Sequence, residues 1–240
     1  MVVEVCTDSL AGANIAQQAG AYRIELCAAL SEGGVTPSLA LISMVRQSVG
    51  IRVYVLIRPR SGDFLYSDAE YEIMKADIRY CGQNKCDGVV IGILRADGSV
   101  DKNRCRELVH IAQEYGMGVT FHRAFDRSND LPQAMEDVIE TGCERILTSG
   151  GYETAIEGAD VIRTLTEKAG NRIVIMAGAG ITPDNARDLV RATGIKELHG
   201  TFRSRSASKM LYRNTNFARQ DEEYEILLND IEKIKLVNNE

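Results

Sequence analysis

The 240-residue chain has no tryptophan, three histidines and four prolines. No stretch reaches the roughly 18 apolar residues that a membrane span needs. The opening "MVVEVCTD" shows no basic segment followed by an apolar one, so no secretory leader is expected either. Positive charge is in deficit: 28 Lys and Arg stand against 34 Asp and Glu, a formal charge of −6. That balance disfavours nucleic acid or an anionic membrane as the main partner. Cysteine is present, six residues in all, yet no CxxC occurs. "CGQNKC" at 81–86 has no histidine nearby, which argues against zinc there. The expectation is a cytoplasmic protein with reduced thiols, Cys81, Cys86, Cys105 and Cys143 filling gaps as small apolar groups.

What is present is a repeated unit. Short apolar runs at 2–6, 23–27, 52–58, 88–93, 118–122, 145–148, 173–177 and 196–199 read as strands. Helical periodicity fills the intervals, as at 101–115, where Cys105, Leu108, Val109 and Ala112 share a face. Ser38, the Ser67/Glu70 capping box and Thr182-Pro183 mark helix starts. Tyr224, Leu227, Leu228, Ile231 and Ile234 read as one stripe of a last helix over about 221–236. Eight βα units in this length predict an α/β fold, a single-domain (β/α)₈ TIM barrel over 1–240. A doubly wound open sheet is disfavoured, because no GxGxxG follows the first strand.

Strand side chains alternate between faces, so each polar residue in an apolar run declares its direction. Glu4 and Cys6, Glu25 and Cys27, Tyr54, Leu56 and Arg58, Thr120 and His122, and Glu197 and His199 should point to the axis. Buried charges are costly unless paired. Two arrangements fit: a neutralised ion-pair network low in the barrel, or a site at the mouth. "GVTFHRAFD" (118–126) favours a site, with His122 as an acid/base or ligand held by Glu4 or Glu25, and Arg123 and Asp126 at its rim. "TSGG" (148–151) and "AGAGIT" (177–182) follow strands 6 and 7. Gly150, Gly151, Gly178 and Gly180 could offer N–H donors to an anion facing Arg58, or simply turn the chain. The catalytic candidates are thus Glu4, Glu25, Arg58, His122 and His199. The chemistry they suit is lyase or isomerase proton transfer on a small anionic or phosphorylated metabolite, with or without a divalent ion.

"RIELC", "LSEGGVTPS", "IRPRSGDFLYSD", "MKADI", "GVTFHRAFD", "RILTSGG" and "GIT" resemble the CutC family of copper homeostasis proteins, from residue 1 to about 214. The resemblance implies a cytoplasmic (β/α)₈ barrel tied to copper handling, with Cu(I) as the metal. It also implies Cys6 in "EVC" and Cys27 in "ELC" as metal ligands, a match to the preference of Cu(I) for soft thiolates. A copper ion or a small anionic molecule is therefore the expected partner, with homo-oligomerisation left open. Three segments depart from the family pattern. Tyr22 replaces an acidic residue that could pair with Arg23, "MAGAGI" replaces a glycine-richer turn containing proline, and "HGTFRS" places Phe202 where the site rim is expected.

Overall fold

Val3 and Val5 are fully buried under helices, while Cys6, out of phase with them, packs toward the axis with Cys27, Tyr54, Leu56 and Val90. One strand thus serves two cores, and the same alternation closes the sheet. The computed structural model describes residues 1–214, 216 and 224–238. Its strands are β1 (Val2–Thr7), β2 (Arg23–Leu26), β3 (Arg52–Leu56), β4 (Gly88–Ile91), β5 (Gly118–Phe121), β6 (Arg145–Thr148), β7 (Val174–Ala177) and β8 (Glu197–Gly200). All pair in parallel in chain order, and β8 returns to β1, so the chain is an eight-stranded α/β TIM barrel.

Helices α1 (Leu10–Gln18), α2 (Leu39–Ser48), α3 (Asp68–Gln83), α4 (Lys102–Glu114), α5 (Leu131–Thr141), α6 (Ala159–Ala169) and α7 (Ala186–Thr193) cover the outside. Their starts follow local chemistry. Ser38 caps α2, and Ser67 and Glu70 close a reciprocal capping box on α3, satisfying backbone donors that the first turn leaves open. Pro183 does not open a helix. The 183–185 segment is a turn, the Thr182 N–H donates to Asn185 Oδ1, and α7 begins at Ala186.

The expected last helix divides. Residues 225–229 form a strand, β10 (Glu225–Asn229), antiparallel to β9 (Arg203–Ala207), and only Ile231–Asn238 is helical (α8). Residues 221–223 of the expected helix lie outside the described residues. Among the described residues no helix is long and apolar enough to cross a membrane.

Candidate functional site

Strand register brings charged residues together below the mouth. Glu4 of β1 lies level with Arg23 of β2 and His199 of β8. The Arg23 guanidinium, with no exposed surface, bonds Glu4 through Nε and Glu197 through Nη2 at 2.5 Å. Arg145 holds Glu197 at 2.6 Å, and both guanidiniums stack over the Tyr54 ring. Tyr54 in turn donates to Glu144. The counter-charges of Glu4 and Glu197 are therefore Arg23 and Arg145; Arg58, the arginine among the expected inward residues, pairs with neither. Both arginines start a strand on the inward parity, and that parity was the signal for them. Tyr22 does not weaken Arg23, whose partners lie inside the barrel. The Tyr22 ring is at the surface, under the Arg52 guanidinium.

Above this network His199 Nδ1 donates to Glu4 Oε1 at 2.7 Å and lies 3.5 Å from Glu25 Oε2. Burial alone would raise the Glu4 carboxyl. Arg23 and His199 outweigh it and hold it at about 2. Glu25 lacks an arginine contact, and burial, opposed by His199 and assisted by the Glu4 charge, pushes it up to about 7. Burial disfavours the charged His199 ring, but Glu25 and Glu4 more than offset it and raise its pKa. One ligand atom each from Glu4, Glu25 and His199 falls within a 4.8 Å spread, a set able to hold a cation.

His122 behaves otherwise. The imidazole expected beside Glu4 or Glu25 instead accepts the Ala124 N–H on Nδ1 at 3.0 Å. Its Nε2 is buried without a partner among the described residues. Burial and then the Arg58 charge push it down to about 3, so the ring is neutral. With Nδ1 accepting, the proton sits on Nε2. Gly92 makes room for the ring, since a Cβ there would lie 2.4 Å from His122 Cε1. The carboxylate partner expected for His122 belongs to the other strand-end histidine, His199.

Arg58 donates to the carbonyls of Glu32 and Gly34 through Nη1 and of Gly62 through Nη2. It thereby ties the loops after β2 and β3 together. Its guanidinium lies 5.1 Å from the centroid of Phe64, a ring that also packs on His122 at 5.0 Å.

The glycine turns do not line the mouth. The Gly151 N–H donates to Asp126, the Gly150 N–H to Thr148 Oγ1 and the Gly178 N–H to the Thr148 carbonyl. The anion expected at "TSGG" is the protein's own Asp126 carboxylate. It accepts from the Thr148 hydroxyl, the Ser149 N–H and hydroxyl and the Gly151 N–H, and it pairs with Arg123. Phe202 is likewise absent from the rim: it is buried in the outer core over Gly200.

Cys6, Glu25, Cys27, Arg58, His122 and His199 all line one mouth cavity of about 370 Å³. The Cys6 and Cys27 sulfurs are 3.6 Å apart. Contact with Cys27 and burial, reinforced by Glu25 and Glu4, push the Cys6 thiol well up.

A model described as the CutC family matches residues 1–204. The copper homeostasis protein cutC homolog of Homo sapiens is 45% identical over 241 residues, 99% of this chain and 88% of the human protein. The family protein CutC of Pasteurella multocida is 48% identical over 212 residues, 88% of this chain and 86% of its own length. The CutC crystal structure from Streptococcus agalactiae superposes with a TM-score of 0.79 at 36% identity, covering 84% of this chain and 98% of that one. A KDPGal structure shares the fold alone, at 15% identity and a TM-score of 0.58.

Proposed function

The chain belongs to the CutC family, and from that premise we propose that it serves copper homeostasis in the cytoplasm, taking Cu(I) as cargo between Cys6 and Cys27. The observation that carries this reading is the pair of sulfurs 3.6 Å apart on adjacent strands, both facing the mouth cavity. Two soft donors at one point select Cu(I) over harder ions. The thiols are free rather than disulfide-bonded. Because Cys6 holds its proton tightly, loading must release protons, and affinity should climb with pH.

Competition against a chromogenic Cu(I) chelator tests the proposal. The intact protein should bind copper stoichiometrically, and the Cys6→Ser/Cys27→Ser double variant should lose that binding. Single substitutions at Cys81, Cys86 or Cys105 should leave it unchanged. Equal affinity in the double variant, or no stoichiometric binding by the intact protein, would overturn it.

A further inference from the structure

Copper explains the two sulfurs but not the wall of the same cavity formed by His122, Arg58 and Phe64. Arg58 is buried, and among the described residues no carboxylate pairs with it: its Nη donors meet the carbonyls of Glu32, Gly34 and Gly62, and its Nε is left without a partner. Carbonyl dipoles satisfy hydrogen bonds, yet they leave a full positive charge beside the cavity. His122 is only 6% exposed, and its Nε2 has no partner among the described residues. The bond from the Ala124 N–H to Nδ1 fixes the tautomer, so this orphan nitrogen is a donor. A buried donor left unmet is costly, and such groups call for a partner that arrives from outside. Both cationic and neutral donors flank one aromatic ring, Phe64. Across the cavity Glu25 Oε2 is also buried without a hydrogen-bond partner among the described residues, with His199 Nδ1 3.5 Å away. Of the other lining cations, His199 is held by Glu4, Arg123 is neutralised by Asp126, and Arg127 stands exposed at the rim.

We propose that the mouth cavity binds a small organic hydroxycarboxylate, its carboxylate on the His122 Nε2–H within the field of Arg58 and its hydroxyl on Glu25 Oε2. A carboxylate supplies the acceptor that His122 lacks and the charge that Arg58 lacks. A hydroxyl supplies the hydrogen bond that Glu25 lacks. The volume of about 370 Å³ lies near the lower end for ligand sites, ample for a small hydroxy acid. Leu30, Leu56 and Leu147 complete the lining with apolar surface. Cys6 and Cys27 line the same cavity, but none of these contacts is made to either sulfur.

The test uses the full chain labelled with ¹⁵N-histidine, which carries only three imidazoles, and glycerate as the probe. Propionate, which lacks the hydroxyls, and chloride at matched ionic strength are the controls. In the free protein His122 should show the neutral Nε2–H pattern. Glycerate should move that resonance saturably, with propionate weaker by about tenfold, the loss of one hydrogen bond. The exposed His110 should not respond. His122→Leu should abolish glycerate binding as read by calorimetry, and Cys6→Ser/Cys27→Ser should retain it. A His122 resonance that stays fixed up to about 50 mM glycerate, or moves equally with chloride, overturns the proposal without any variant. Undiminished binding by folded His122→Leu also overturns it.

Discussion

Arg23 is a guanidinium with no exposed surface, braced between Glu4 and Glu197 at the base of the barrel. Removing one partner of such a pair strands the others in a low-dielectric interior, at roughly 3–5 kcal/mol. Arg23→Met should therefore lower unfolding stability by about that much in urea titrations. The inward direction of Glu4, Glu25 and Glu197 is legible in the alternation of each strand. Their pairing is not, because it depends on register between strands, which no single strand encodes. Only when β8 closes on β1 does His199 come level with Glu4 and away from His122. The same cluster sets a pH dependence. Glu4, depressed from 4.5 to about 2, adds stability that is present above pH 4.5 and lost as pH falls toward 2. Glu25 is raised from 4.5 to about 7, so the folded state holds its proton longer, and stability declines as pH climbs through that window. His199, raised above 6.5, adds stability below that value and loses it as pH rises through its folded pKa. Glu25→Gln should thus gain on the wild type by on the order of 2 kcal/mol between about pH 5 and 8. Denaturant titrations at the two pH values measure this; a constant difference would contradict the assignment.

The C-terminal hairpin and helix show where periodicity misleads. Leu227, Leu228, Ile231 and Ile234 keep helical spacing, yet the segment changes structure at Asn229-Asp230. Asp230 Oδ1 accepts from the backbone N–H of Glu232 and Lys233, the signature of an N-cap, so α8 starts there. That Asp followed by Glu and Lys was the available signal, and the apolar stripe concealed it. Asn229 is buried and donates to the carbonyls of Cys6 and Thr201, fastening β10 to the barrel beside the mouth. Asn229→Leu keeps the volume but leaves both carbonyls unmet. It should cost about 1–3 kcal/mol and speed hydrogen exchange in β10. Asp230→Ala should cost about 1 kcal/mol and leave the barrel strands protected.

At the scale of the whole molecule, eight strand–helix units and their alternation made the barrel and its inward residues readable. The loop geometry above the strands was not readable, because it depends on side chains meeting across distant turns. Arg58 read as a ligand-binding charge and is also a tie between two loops. "GVTFHRAFD" read as one site and contains two different things, a cavity-facing His122 and an Asp126 locked into the "TSGG" turn. That turn has a testable consequence. Asp126→Ala should lower the melting temperature by several degrees, the loss of a few buried hydrogen bonds, and formate should narrow the gap to wild type. A gap that formate leaves unchanged would show that the carboxylate is not what holds the turn. Rescue should need roughly molar formate, because a tethered carboxylate competes at an effective concentration that a dissolved one cannot reach. The barrel carries the anion that orders this corner in its own chain. The turn therefore needs nothing from solution to hold its shape.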